Sequence, residues 1–371
     1  MGSIPAGITL AINAGSSSIR IAAFNEDTLL RRDKLEHPAE PGETTTLTWL
    51  NQHLAGLAPS GLAPSAIAHR IVHGMARSEP ARITPALVVE LHHNIPYAPE
   101  HMPRQLALIE ACTSQYPGVP QIACFDTAFH ARMPRVATQL PLPRRYEAQG
   151  LRRYGFHGIS CEYLLEELAR LAGPQAAEGR IILAHLGNGA SLTAVSNRAS
   201  FDTTMGFTPA GGLVMGTRTG DLDPGVAAYL FASGLTADQF TNLVSHESGL
   251  LGVSETSADV RRLLAIAPED PRAAEALNLF CYQVRKNIGA LAAALSGLDT
   301  LVFAGGIGEN SPAIRARICN SLQFLGLELD PYRNQKSDPV ISARDSRVAV
   351  RVIPTDEETM LARHARRFLK R

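Results

Sequence analysis

Ile8-Thr9-Leu10-Ala11-Ile12-Asn13-Ala14-Gly15-Ser16-Ser17-Ser18-Ile19-Arg20-Ile21-Ala22-Ala23-Phe24 reads as strand, tight turn, strand. Ile8–Ile12 and Ile19–Phe24 are apolar, and the small residues Asn13–Ser18 between them call for a turn. The same grammar returns later: Ile181–Leu186, then Gly187-Asn188-Gly189-Ala190-Ser191, then Leu192–Val195. Two copies of one unit point to a diverged duplication of a domain. Short apolar runs predict buried strands at Ile67–Val72, Gln121–Phe125, Thr300–Ala304 and Val348–Ile353. Helical spacing predicts helices at Glu43–Ala55, Met102–Ser114, Cys161–Ala172, Pro224–Ser233, Thr236–His246, Ser257–Ala267 and Arg272–Ser296. Strands alternating with helices make an α/β fold.

The 371 residues suffice for two or three domains. Hydrophobic residues at 45% and charged residues at 19% exclude general disorder. Lys+Arg 35 balance Asp+Glu 35, which argues against a nucleic-acid partner. Only Lys34, Lys286, Lys336 and Lys370 are lysines, so an arginine's identity alone carries little weight here. No apolar run approaches the ~18 residues of a membrane span. The start lacks the basic, then apolar pattern of a signal peptide. Five widely spaced cysteines without a CxxC read as reduced thiols rather than a zinc or disulfide framework. The expectation is therefore a cytoplasmic protein with no membrane partner. The tandem Gly-Leu-Ala-Pro-Ser at 56–60 and 61–65 reads as a surface loop, and 134–145 as a linker or an interface loop. The basic tail Arg363–Arg371 reads as a solvated face of a last helix.

Three turns carry chemistry: Asn13–Ser18, Gly187–Ser191 and Gly305-Gly306-Ile307-Gly308-Glu309-Asn310. Glycine lets backbone N–H groups approach and cradle phosphate oxygens. The first two turns could hold one polyphosphate from two sides; the plain alternative is a tight turn without a ligand. There is no GxxxxGK[ST] and no GxGxxG.

Cationic candidates are Arg70 in His69-Arg70-Ile71-Val72-His73-Gly74, His157 in Arg153-Tyr154-Gly155-Phe156-His157-Gly158, and Arg218 in Met215-Gly216-Thr217-Arg218-Thr219-Gly220-Asp221. A structural ion pair is the bland reading of each arginine. Asp126 and Glu357 follow predicted strands, where open α/β sheets place ligands. A helix cap at Thr355 or Asp356 is the alternative there. His246-Glu247 lacks the second histidine of HExxH, His92-His93 reads as a solvated helix face, and no GxSxG occurs.

Taken together these segments resemble the acetate kinase family, with its propionate and butyrate kinases. The resemblance also rests on Phe125-Asp126-Thr127-Ala128-Phe129-His130, His185-Leu186-Gly187-Asn188-Gly189, Asp221-Leu222-Asp223-Pro224 and Pro354-Thr355-Asp356-Glu357-Glu358. The matches run in family order across nearly the whole chain. They imply two duplicated α/β domains of the fold shared by sugar kinases, heat-shock chaperone ATPases and actin, with the nucleotide in the interdomain cleft. The implied boundaries are 1–128 plus a C-terminal helix 358–371 for the acid-binding domain, and 129–357 for the nucleotide-binding domain. A homodimer is also implied.

The activity implied is reversible, Mg²⁺-dependent in-line phosphoryl transfer from ATP to acetate, giving acetyl phosphate and ADP. Mn²⁺ is the alternative metal. By motif, Arg70 and Arg218 hold the carboxylate and the migrating phosphoryl group, and His157 stabilises its oxygens. Asp126 is the family's proposed acid/base, here favoured as electrostatic and positioning. Val72, Phe156 and Pro209 line the acid pocket, and Asn13 and Glu357 are the metal positions. Arg20, His185, Leu186, Gly187, Asn188, Gly189, Asp259, Val260, Arg261, Gly305, Gly306, Ile307, Gly308 and Glu309 match the nucleotide contacts. Three departures stand out: Arg20 replaces a lysine, Cys161 a histidine, and Glu100-His101-Met102-Pro103 resembles Leu-His-Asn-Pro. Glu100 either points away from the acid or marks a different pocket. The rival readings are a kinase preferring propionate or another short-chain acid, a non-catalytic ATP-binding member of the fold, and a phosphate- or pyrophosphate-handling hydrolase.

Overall fold

The computed structural model describes residues 7–15, 18–36 and 64–371. The expected helix Glu43–Ala55, Ser16 and Ser17 of the first turn, and positions 56–63 of the tandem pentapeptide lie outside the described residues.

The chain forms two compact units. The first takes in residues up to Ala131, Phe156–Tyr163 and Asp356–Arg371; the second comprises Arg132–Gly155 and Leu164–Thr355. These bounds differ from the sequence-based ones mainly by counting Phe156–Tyr163, Asp356 and Glu357 with the first unit.

The first unit is built on a six-stranded sheet of β1 (Ile8–Ala14), β2 (Ser18–Asn25), β3 (Thr28–Glu36), β4 (Ala66–Ile71), β5 (Ala81–Arg82) and β6 (Gln121–Phe125). Its spatial order is β3-β2-β1-β4-β6-β5. β1 pairs antiparallel with β2 and parallel with β4, which is itself parallel to β6. β1 is buried along its whole length because both faces of the sheet are covered. Ile8, Leu10, Ile12 and Ala14 pack with Ile67 against Leu108 and Cys112 of the Met102–Gln115 helix. Ala11, Ala68, Ile122 and Cys124 pack on the other face against Met360, Leu361 and Ala365 of the C-terminal helix Glu357–Leu369. This two-residue alternation decides where the site falls.

The second unit holds a five-stranded sheet of β7 (Ile181–Leu186), β8 (Ala190–Ser196), β9 (Ala199–Thr203), β10 (Thr300–Ala304) and β11 (Ala349–Val352). Its order is β11-β10-β7-β8-β9. β7, β8 and β9 form an antiparallel meander, and β10 runs parallel to β7 and to β11. Strand for strand this repeats β1, β2, β3, β4 and β6 of the first sheet, so the duplication seen in the hairpins extends to the topology of both sheets. A 24-residue helix, Pro271–Ala294, buries Ala276, Phe280, Val284 and Ile288.

Several elements depart from the sequence expectation. Gly305–Asn310 is a short helix rather than a turn. Thr236–His246 is a helix only over Ala237–Asn242, continuing as a wider π-type turn over Leu243–Glu247. The expected Ser257–Ala267 helix spans Val260–Ile266, because Asp259 caps it by accepting the Arg261 N–H. The 134–145 stretch holds one helical turn, Arg135–Thr138, and the start of another, Arg144–Glu147. β3 escaped prediction because its side chains are mostly exposed and polar. All five cysteines are free and buried. No helix among the described residues is long and apolar enough to cross a membrane.

Candidate active site

Asn13, Arg70 and Asp126 meet because of strand parity. Asn13 shares a face with Ala11, Arg70 with Ala68, and Asp126 continues the series Ile122, Cys124. All three series face the C-terminal helix, so the polar residues at the strand ends converge beside that helix's first turn. There Asp356 caps the helix by accepting the Thr359 N–H, and Glu357 and Glu358 follow. Acids in a first turn are favoured by the helix dipole.

Asn13 Nδ2 donates to Glu357 Oε2 and to Glu358 Oε1, each at 2.7 Å. Asn13 Oδ1 accepts from Arg70 Nη1 at 3.1 Å. Arg70 Nε donates to both Asp126 oxygens at 3.1 and 3.0 Å, and Nη2 donates to Oδ2 at 2.6 Å. Glu357 Oε2 lies 3.9 Å from Arg70 Nη1. Burial opposes the Arg70 charge, but Asp126 and Glu357 outweigh it and raise the guanidinium's proton affinity. Burial is also the largest influence on Asp126 and pushes its carboxyl up, while Arg70 pulls it back.

Glu358 was not singled out from sequence, although it follows Glu357 directly. It is buried, and burial pushes its carboxyl up against the bond from Asn13. Arg32 on β3 donates to both Asp356 oxygens at 2.7 Å and comes within 3.6 Å of Glu358. Arg32 thus anchors the helix start that carries both glutamates. Arg20 lies opposite Asn13 in the β1–β2 ladder, 42% exposed, its Nη1 4.0 Å from Glu358.

His157 belongs to this unit. Its backbone adopts φ +60°, in the left-handed region, a strained state for a residue with a Cβ. The backbone N–H of His157 bonds Asp126, and Gly158 N–H donates to the Asp126 carbonyl at 3.0 Å. A Cβ on Gly158 would overlap that carbonyl, so only glycine lets the chain pass there. Phe156 is buried, and its carbonyl is held at 2.9 Å by His130 Nε2. A carbonyl only accepts, so that nitrogen carries the proton. Val72 is buried as well. Glu100 is exposed.

The second unit gathers the remaining candidates. Gly187 N–H bonds the Gly189 carbonyl, and Gly216 N–H bonds the Asn188 carbonyl. A Cβ on Gly305 would lie 2.7 Å from the Leu186 oxygen, and one on Gly216 would lie 3.5 Å from Ala258 Cβ. The segments 185–189, 215–220, 258–261 and 305–309 are therefore packed together. Arg218 is buried, and its Nη1 donates to the Pro209 carbonyl at 3.2 Å. Arg261 is turned outward, pairing with Asp259. Glu309 Oε1 accepts from Gly305 N and Thr355 N. Fully buried Arg315 fastens the Gly305–Asn310 helix by donating to the Gly308 and Glu309 carbonyls at 2.8 and 2.9 Å. Its other bonds run to Asn334 and Ser337.

A family model described as the acetokinase family matches residues 39–363. The chain belongs to the acetokinase family. An acetate kinase of Rhodopseudomonas palustris is 44% identical over 97% of this chain and 98% of its own length. The crystal structure of Porphyromonas gingivalis acetate kinase superposes with a TM-score of 0.88 at 35% identity, covering 98% of this chain and 100% of that one. A propionate kinase from Francisella tularensis gives 0.87 at 33% identity, covering 97% and 99%. Family membership implies ATP as a substrate and a divalent metal. Among the described residues no group of three or more His, Cys, Asp or Glu forms a dedicated metal cage. A metal shared with phosphate oxygens needs only one or two carboxylates. The paired buried acids Glu357 and Glu358, bridged by Asn13, fit that requirement.

Proposed function

We propose that this acetokinase-family chain is an acetate kinase: it transfers the γ-phosphoryl group of ATP to acetate, reversibly, giving acetyl phosphate and ADP. The observation that carries the reading is the Asn13–Arg70–Asp126–Glu357 cluster, a partly buried cation among acids where parallel strands end beside the C-terminal helix.

A carboxylic acid titrates near ~4 and is ionised at neutral pH. Its oxygen attacks phosphorus as the bond to the ADP oxygen breaks, and no proton has to move. The obstacle is repulsion between two anions, so catalysis is positioning plus cationic stabilisation. Arg70 would hold the carboxylate, with Val72, Phe156 and Pro209 against its methyl group. Arg218 and His157 would take the charge of the migrating phosphoryl group. Asp126 orients Arg70 and supplies no proton. Asn13 and Glu357 would hold Mg²⁺, or Mn²⁺ in its place, which when bound neutralises phosphate charge. Arg20, His185–Gly189, Asp259–Arg261 and Gly305–Glu309 would contact the nucleotide.

Two further readings belong to the proposal. A cytoplasmic location fits the reduced, buried cysteines. A homodimer fits the Pro224–Ala232 helix, which buries none of its residues and exposes Val226, Tyr229 and Phe231; light scattering reads the mass directly. The propionate alternative has its own support in the F. tularensis enzyme. One methylene in an apolar pocket separates acids by only ~1–3 kcal/mol.

The test is a hydroxamate assay with ATP against acetate, propionate and butyrate. Acyl hydroxamate with acetate as the best substrate supports the reading, and a better turnover of propionate moves it to the second acid. Phosphate release without any acid would make the chain a hydrolase instead.

A further inference from the structure

Gln105 lies on the Met102–Gln115 helix, which the Glu100-His101-Met102-Pro103 segment opens. It is buried on the sheet face opposite the acids, the face of Ala14 and Leu108. Its amide oxygen accepts the Val72 backbone N–H at 3.0 Å. Its amide nitrogen donates to the Ala14 carbonyl at 3.1 Å. The orientation is forced, since an N–H can only donate and a carbonyl can only accept. Next to it, Arg104 Nη1 reaches the Gly15 carbonyl at 3.4 Å.

The β1–β4 register ends at the pair Ile12 and His69. Past that pair the strands have no rung between them, yet Asn13 and Arg70 are the next residues on each. Buried backbone groups left there would be costly. The Gln105 carboxamide supplies the missing rung. Like a peptide group it offers one acceptor and one donor, to Val72 just past the end of β4 and to Ala14 at the end of β1. It thereby sets the gap between the strand ends that carry Asn13 and Arg70.

We propose that Gln105 is a positioning residue for phosphoryl transfer, fixing the spacing of the metal-side Asn13 and the acid-side Arg70 through the backbones of Ala14 and Val72. The inference rests on the kinase reading above. Small misplacements of reacting groups are expensive in rate even where binding survives.

Three variants test it in the full-length protein: Gln105→Met, which keeps the length but neither bond; Gln105→Glu, which can still accept from Val72; and Gln105→Asn, which is one methylene short. Steady-state rates by hydroxamate assay are set beside the ADP dissociation constant from calorimetry and the thermal midpoint. Gln105→Met is expected to lower kcat by on the order of 10–10²-fold and to raise KM for acetate. ADP affinity should stay within about twofold, because the proposed nucleotide segments are held by other contacts. Gln105→Glu should keep a KM for acetate nearer wild type while kcat stays low. Folded variants with wild-type kcat and KM, or with only a lowered thermal midpoint, overturn the proposal. If the methionine variant does not fold, the asparagine variant is read by the same criteria. A wild-type protein that forms no acyl hydroxamate would overturn the kinase reading first; an active wild type with indifferent variants overturns this inference alone.

Discussion

Arg70 is forked onto Asp126, with Nε and Nη2 both on the carboxylate at 2.6–3.1 Å. Each side chain lies at the end of one of two adjacent parallel strands, and the fork is closed by strand parity. Asp126 is buried and Arg70 partly so, with Glu357 and Glu358 adding negative charge around the guanidinium.

The first prediction separates positioning from proton transfer at Asp126. Asp126→Ala would take the main counter-charge from the partly buried Arg70 and leave it Asn13 and Glu357, so the cost should lie at or below the low end of the about 3–5 kcal/mol seen for breaking a fully buried pair. Asp126→Asn keeps an acceptor for the guanidinium and should fold better, with kcat lowered. If Asp126 only orients Arg70, the pH–rate profile of Asp126→Asn keeps the wild-type shape at lower height. Loss of one limb of that profile would show that Asp126 moves a proton.

Arg218→Ala should lower kcat by roughly 10²–10³, the scale for removing one transition-state donor. Two of its hydrogen bonds, to the Pro209 carbonyl and the Met215 sulfur, are local to one loop, and the urea unfolding curve checks that the variant folds. Near-normal turnover would take Arg218 out of the mechanism.

Much of this was legible before the structure. The two hairpins and the strands Gln121–Phe125 and Thr300–Ala304 follow from apolar runs and small-residue turns, whereas the grouping of Asn13, Arg70 and Asp126 was implied only by the family resemblance. What stayed hidden was held by tertiary context. The Gly305–Asn310 segment is rich in glycine and reads as a turn, yet Arg315 and Glu309 fasten it as a helix. Arg32 sits in a strand whose polar pattern gives no periodic signal, and its task appears only once Asp356 is beside it. Gln105 is an unremarkable helix residue until the ends of β1 and β4 are seen to part.

Burial holds His69, His73 and His130 down at about 4, against 6.5 for a free imidazole. Between these values the unfolded chain takes up protons that the folded chain refuses. Their contribution is therefore complete above pH 6.5 and is lost as pH falls toward 4. The cost is up to about 1.4 kcal/mol per histidine per pH unit in that window. Urea unfolding at pH 7.5 and 5.5 should show a clearly lower midpoint at the lower pH; an unchanged or higher midpoint would mean that these imidazoles are charged in the folded protein.

Glu100→Leu should leave KM for acetate and the order of preferred acids unchanged within about twofold. The residue is exposed, and exposed substitutions away from a site seldom move stability by more than ~0.5 kcal/mol. A changed acid preference would place Glu100 at the pocket in the working enzyme.

Gly158→Ala tests how tightly the His157 segment is set against Asp126. The added methyl would overlap the Asp126 carbonyl oxygen and come within 2.8 Å of Phe129 Cβ. The oxygen is main chain and cannot swing aside, so either the Gly158–Ala172 helix retreats or Asp126 is pushed off Arg70. Both displace His157, whose left-handed backbone leaves it little freedom to compensate. The expected result is a kcat lower by on the order of 10²-fold with ADP affinity retained. Gly289→Ala is the control: it lies inside the Pro271–Ala294 helix with nothing within 4 Å of its Cβ. That exchange should be harmless, or stabilising by up to ~1 kcal/mol. If Gly158→Ala turns over as fast as the control, the contact between Gly158 and Asp126 does not position the site, and the strain at His157 serves packing alone.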